Sequence, residues 1–162
     1  MQDNGLNTVA IGKVNDLFNY KGITKQVKTK SNDAGIEKII EHSKSESNSF
    51  LFANLVDFDV YFGHRLDPEG FANALAEFDK RLPEILETLD KTDALLMTAD
   101  HGNDPTVTST DHSREYVPIL FYGKNKRGRD LGTRETFSDA AQTVAHFFKV
   151  NNGLKGTSFL ND

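Results

Sequence analysis

Two apolar runs, each opening directly into a cluster of aspartate and histidine, constrain this chain more than any other feature of its sequence. The first is Phe50, Leu51, Phe52, Ala53, Asn54, Leu55 and Val56, followed by Asp57, Asp59 and His64. The second is Ala94, Leu95, Leu96, Met97 and Thr98, followed by Asp100, His101, Gly102, Asn103 and Asp104, and then by Asp111 and His112. Short runs that are apolar almost throughout are the pattern of strands covered on both faces, as in a parallel sheet between helices. In open α/β sheets, ligands bind beyond the carboxyl ends of such strands. Three of the five histidines of the chain fall in these two places.

The rest of the chain fits the same plan. Thr8, Val9, Ala10 and Ile11, closed by Gly12, read as a buried strand, and residues 117–122 as another, with Pro118 suited to a first or edge position. Residues 14–20 read as one helical turn, and residues 23–30 as an extended loop or an edge strand. Asn32 is placed to cap a helix running to about Ser43, with Ile36, Ile39 and Ile40 on its apolar face. Asp67 and Pro68 are an acidic cap followed by proline at the first helical position. Phe71, Leu75, Phe78, Leu82, Ile85, Leu86 and Leu89 then recur at helical steps, and Pro83 is expected to kink or divide that helix. Thr136 or Ser138 opens a last helix to about Phe148, with Phe137, Ala140, Ala141, Val144 and Phe148 facing inward; residues 156–160 read as a candidate edge strand. Residues 57–65, 99–115 and 124–134 read as loops, and the second is long enough to imply a role beyond connection. Strands alternating with helices predict an α/β three-layer sandwich with a mostly parallel central sheet.

Composition narrows the chemistry. The 162 residues fit one domain, and 37% apolar with 27% charged residues suits a packed core. A net charge of -5 with no basic stripe argues against a nucleic-acid partner. No apolar run is long enough to span a membrane, and residues 1–7 lack the pattern of a secretory signal, so a soluble, cytoplasmic protein is expected. There is no cysteine, so a metal site would use oxygen and imidazole ligands.

Carboxylates and imidazoles together suit manganese, zinc or iron, and paired ions about 3.5–4 Å apart can clamp both oxygens of a phosphoryl transfer. Asp100 and His101 are neighbours that a regular strand would point to opposite faces; at a strand end beside Gly102 they either converge on one ion or address different ones. Gly63 and Gly102 would let backbone approach such ions closely. Each residue also has an ordinary reading: Asp100 as a helix cap, Asp57 or Asp59 as loop carboxylates, His112 bonded to a carbonyl. Taken together the clusters favour a metal site and leave the reaction open. His42 reads as solvated on a polar helix face, and His146 as a surface histidine.

The run Thr98, Ala99, Asp100, His101, Gly102, Asn103, Asp104, Pro105 and Thr106, followed by residues 110–118 from Thr110 through His112 to Pro118, closely resembles the signature of the phosphopentomutases, manganese enzymes of the alkaline phosphatase superfamily. Similar to the same family are Asn54, Leu55, Val56, Asp57, Phe58 and Asp59 with Gly63, His64, Arg65 and residues 67–70. Residues 10–13, 28–32, 134–137 and 156–160 fit as well, so the resemblance covers nearly the whole chain. It implies an alkaline phosphatase-like core, with Asp59, His64 and His112 on one manganese ion, Asp100 and His101 on a second, and Lys13 on a substrate phosphate; the ordinary reading of Lys13 is a surface lysine ending a strand. It also implies interconversion of ribose or deoxyribose 1-phosphate and 5-phosphate through a phosphorylated threonine.

The family's enzymes are more than twice this length. Residues 1–162 match the carboxyl-terminal part of the metal-binding core, without the amino-terminal core segment, which supplies another metal-binding aspartate and the phosphorylated threonine, and without the cap domain. None of Thr98, Thr106 and Thr110 takes the place of that threonine. The expectation is therefore a chain with no catalytic nucleophile of its own, inactive alone and partnered by the missing amino-terminal part. Another phosphomutase, phosphatase or sulfatase of the superfamily is the alternative enzyme reading, against which Asp104, Pro105 and Thr106 argue. A non-catalytic metal-binding module is the alternative of a different class. Sheet edges left open by the missing segments would favour self-association.

Overall fold

The computed structural model describes residues 1–160, which divide into two compact units, Met1–Lys124 and a second that begins at Asn125. In the first unit, β1 (Asn7–Ile11) lies between β2 (Lys25–Val27) and β3 (Ser49–Ala53), and both neighbours run parallel to it. Ile11 faces Val27 on one side and Ala53 on the other, so all three strands end at the same edge of the sheet. Val9, Ala10 and Ile11 are almost wholly buried, as β-branched and small residues of a central strand should be. β2 takes the edge-strand alternative for residues 23–30.

β3 is shorter and less covered than its apolar sequence predicts. It ends at Ala53 rather than Val56, and its residues are only half-buried, with Phe52 38% exposed. Its one neighbour among the described residues is β1, so one edge and part of a face stay open. β4 (Leu95–Thr98) and β5 (Ile119–Tyr122) form a separate antiparallel pair, with Leu95 opposite Tyr122 and Thr98 opposite Ile119. The fold is thus mixed α/β, with its parallel strands gathered around β1.

Gly12 closes β1 in a left-handed conformation (φ 83°), and a Cβ there would stand 2.5 Å from the Asn54 carbonyl oxygen. Only glycine suits a position that is both left-handed and this close to neighbouring backbone. A single helical turn, α1 (Val14–Leu17), follows. α2 (Asn32–Ser45) packs on β1 and β3. Its cap is Ser31, whose hydroxyl accepts from the Ala34 N–H at 3.2 Å, and not Asn32. That frees Asn32 for a bond described below. His42 is buried rather than solvated, because it follows Gly35 by seven positions and so shares the inward stripe with Gly35 and Ile36. Its Nδ1 lies 3.4 Å from Glu46 Oε1.

α3 (Pro68–Thr88) starts as predicted, with Asp67 accepting from the Gly70 N–H at 2.9 Å. It runs undivided through Pro83. It lies against α2, tied to it by an ion pair from Arg81 to Asp33, and of its predicted apolar stripe only Ile85 and, just past the helix end, Leu89 are buried.

In the second unit, α4 (Ser138–Phe147) buries Asp139, Thr143 and Ala145, while Phe137 and Ala141 are exposed. The predicted inward stripe is therefore rotated, because a polar hook, residues 156–160, bonds to this helix at Asp139 and Thr143. Asp139 accepts from Arg134 Nε and from the Thr157 N–H, both at 2.9 Å, and Thr143 Oγ1 accepts from the Phe159 N–H at 3.1 Å. Residues 156–160 are consequently no strand: their backbone bonds to helix side chains, and Phe159 is buried. His146 is exposed, as read, with Nδ1 3.0 Å from Ser158 Oγ. No helix among the described residues is long and apolar enough to cross a membrane.

Candidate metal centre

The segment after β3, read as a loop, is a π-helical turn over Phe58–Gly63. Its defining bond runs from the His64 N–H to the Asp59 carbonyl at 2.9 Å, five residues back. This geometry matters because Asp59 and His64 are themselves five apart. On an α-helix, at about 100° per residue, they would stand roughly 140° apart around the axis. The wider turn brings both to one side, with Asp59 Oδ2 3.3 Å from His64 Nε2.

The turn is anchored to the start of α2. Asp57 Oδ2 accepts from the Asn32 N–H at 2.7 Å, and Asn32 Oδ1 accepts from the Asp57 N–H at 3.0 Å. Asp57 therefore turns away from the cluster. The spacing of Asp59 and His64 was the only sign in the sequence of a π turn, and neither apolar period nor capping chemistry marks it.

The long loop between β4 and β5 folds back on itself. The Ser113 N–H donates to the Gly102 carbonyl at 3.0 Å, and Ser113 Oγ accepts from the Asp104 N–H at 2.8 Å. The fold-back sets His112 beside His101, with their rings stacked at 3.7 Å, and beside His64 at 4.9 Å. His112 Nε2 lies 3.5 Å from Asp59 Oδ1. Asp59, His64 and His112 each offer a ligand atom, all within 4.8 Å of one another. Asp100 Oδ2 is 3.7 Å from His101 Nε2, and the Asp100 side chain is 67% exposed.

Hydrogen bonds set the tautomers. His64 Nδ1 is 2.6 Å from the Thr110 carbonyl, and His101 Nδ1 is 3.2 Å from the Gly102 carbonyl. A carbonyl only accepts, so in both rings Nδ1 carries the proton and Nε2 keeps its lone pair when the ring is neutral. Imidazoles that hold metals are commonly oriented in this way, by donating the far N–H to a carbonyl. Two imidazoles and a carboxylate without sulfur form a donor set suited to manganese, zinc or iron. The residues present therefore fit a divalent ion.

Lys13 is exposed, directly after Gly12 at the carboxyl end of β1, the same sheet edge from which the π turn departs. It is not part of the Asp–His cluster. Space at Gly63 and Gly102 is used by protein and not by an ion: a Cβ would meet the Asn103 amide at Gly63, and the Ser113 carbonyl and Glu115 at Gly102. Asn103, part of the quoted run but given no role by sequence reasoning, donates from Nδ2 to Asp59 Oδ1 at 2.5 Å. Nearby, the Thr106 hydroxyl, and after it the Thr106 N–H, hold the Asp104 carboxyl below the usual carboxylate range. A cavity of about 220 Å³ beside the cluster is lined by His101, Asn103, Asp104, Glu115, Tyr116 and Phe71 among others.

An Asp–His cluster at a sheet edge in a mixed α/β fold is the setting of a metal-dependent enzyme, and the model of the metalloenzyme superfamily matches residues 3–152: the chain belongs to that superfamily. Within it, the chain is similar to the phosphopentomutases. It is 51% identical over 159 residues to the phosphopentomutase of Acetivibrio thermocellus, covering 98% of this chain and 41% of that protein. It is 47% identical over 163 residues to that of Clostridioides difficile, covering 100% of this chain and 42% of that protein. The chain thus spans about two fifths of the length of these relatives. Among solved structures it is similar to the PH0037 protein from Pyrococcus horikoshii, with a TM-score of 0.71 at 16% identity, covering 96% of this chain and 45% of that one. At that identity the likeness speaks for the fold, an alkaline phosphatase-like α/β core, and not for a reaction.

Proposed function

We propose that this chain is the carboxyl-terminal, metal-holding portion of a cytoplasmic phosphopentomutase, whose substrates are ribose and deoxyribose 1- and 5-phosphates. The observation that carries the reading is the convergence of Asp59, His64 and His112 from two separate loops onto one point. The similarity to phosphopentomutases supplies the substrate class. In this reading Asp59, His64 and His112 hold one manganese ion, and Asp100 and His101 contribute to a second. Bound divalent ions would neutralise and orient a phosphoryl group, the larger part of catalysis in such transfers.

The chain's own residues prepare that role. The Thr110 and Gly102 carbonyls orient the imidazoles, the π turn aligns Asp59 with His64, and Lys13 at the neighbouring strand end offers a cation to a substrate phosphate. Covalent phosphoryl relay needs a nucleophile, and Thr98, Thr106 and Thr110 do not take the place of the phosphorylated threonine that the resemblance implies. The 162 residues alone are therefore expected to bind manganese without turning over pentose phosphates.

The test has two stages. Manganese titration of the purified chain should give one ion per chain, abolished by His112→Ala; absence of binding by a folded chain would sink the metal assignment. Supplying the amino-terminal part of a phosphopentomutase relative should then restore turnover of ribose 1-phosphate over phosphoglycerate. A folded, metal-loaded complex without that turnover would sink the substrate assignment.

A further inference from the structure

The link between Asp59 and Asn103 joins the two loops of the cluster. Asp59 leaves the π turn, while Asn103 lies in the fold-back between His101 and His112. A carboxylate only accepts, so the Asn103 amide must present its NH2 group, and it does so 2.5 Å from Asp59 Oδ1. The other oxygen, Oδ2, then faces His64 Nε2 at 3.3 Å.

Beneath this contact is Gly63, the residue just before His64. A Cβ built there would come within 2.4 Å of Asn103 Nδ2 and 2.5 Å of its Cγ. The amide therefore lies directly on bare backbone, in a space that any side chain at position 63 would fill. One residue thus touches both the Asp59 carboxylate and the peptide that carries His64.

We infer that Asn103 is a positioning residue for the metal centre, locking Asp59 in the rotamer that shares one point with His64 and His112; this rests on the metal reading above. The choice of an amide has a chemical reason. It donates a hydrogen bond without a charge, so the carboxylate keeps its negative charge for an ion. A lysine or arginine in the same place would neutralise Asp59 and compete with the cation. Freed of the amide, Asp59 is exposed enough to turn toward water, and part of the affinity for an ion would go into ordering it again.

The test is manganese affinity by titration calorimetry on the 162-residue chain, with melting of the metal-free protein recorded alongside. Asn103→Leu, close in shape but without the donor, should weaken manganese binding about 10–100-fold while the metal-free melting temperature stays near that of the parent. Gly63→Ala, which alters no ligand atom, should weaken binding in the same direction by displacing the amide. Where Asn103→Leu does not fold, Asn103→Ala takes its place. If the parent binds manganese and His112→Ala abolishes it, but the Asn103 variants bind within about threefold of the parent, the inference is overturned and the metal reading stands. Loss of affinity that only tracks loss of metal-free stability would make Asn103 structural and overturn it too. A folded parent chain that takes up no manganese overturns the metal reading, and this inference with it.

Discussion

The two donor groups of the cluster stand side by side but are built differently. Asp59 and His64 rest on a π turn that is fastened at both ends of its reach: to α2 through the Asn32–Asp57 exchange, and to the β4–β5 loop through Thr110 and Asn103. Asp100 and His101 lie where β4 opens into its loop. There the Gly102–Ser113 bridge is the nearest backbone fastening, and the Asp100 side chain is largely in solvent. Three donors converge in the first group, whereas the second offers two. A site whose ligands are already ordered binds an ion at lower entropic cost, so the first group should fill first and hold more tightly.

The largest test of that contrast sets Asp59→Ala against Asp100→Ala. In a manganese titration the first should weaken the tight ion by more than about 100-fold, beyond the loss typical of removing a ligand's neighbour. The second should change the same ion by less than about threefold. Equal effects would break the comparison. A smaller effect is expected one step out, at the fastening itself. Asp57→Ala leaves the Asn32 N–H without its acceptor and should cost about 1–3 kcal/mol of stability, read from urea unfolding. It should also weaken manganese binding, because the π turn loses its tie to α2; unchanged affinity would mean the turn keeps its shape unaided.

The smallest effect concerns the second loop and acid. The folded-state Asp104 carboxyl is held below its usual range, chiefly by the Thr106 hydroxyl. Its contribution is thus complete above the unfolded carboxyl range and is lost as pH falls through the depressed folded value. From about pH 5 down to about pH 2 the melting temperature should fall, and Thr106→Val should shrink that fall slightly. An identical acid profile in the variant would show that the Asp104–Thr106 turn does not matter to the stability of the loop.

How much of this was legible in the sequence depends on whether a feature leaves a periodic trace. β1, the start of α3 and the strand-end position of the Asp–His clusters were legible, because uninterrupted apolar runs and the Asp67–Pro68 pair are direct consequences of burial and capping. The residues brought together also match those singled out, His64 and His112 above all. The π turn was not legible, since one turn of a wider helix repeats nothing. Ser31 displaced Asn32 as the cap because Asn32 has a distant partner, Asp57, that no local rule can see. His42 and the face of α4 differ from the sequence reading for a related reason: polarity does not imply exposure, and Asp139 and Thr143 are buried because the carboxyl-terminal hook bonds to them. β3 reads as an interior strand, whereas among the described residues it stands at an edge.

The π turn has a further consequence at the level of the gene. An α-helical turn gains this geometry by accepting a single extra residue, and loses it by surrendering one. At its present length, regularising this segment to an α-helix would set Asp59 and His64 roughly 140° apart around the axis. Removing one codon between theirs would place them four apart, about 40° from each other on an ordinary helical turn, so the pair would still face one side. Among descendants of this sequence, loss of the π turn over residues 58–63 should therefore come with the loss of one residue.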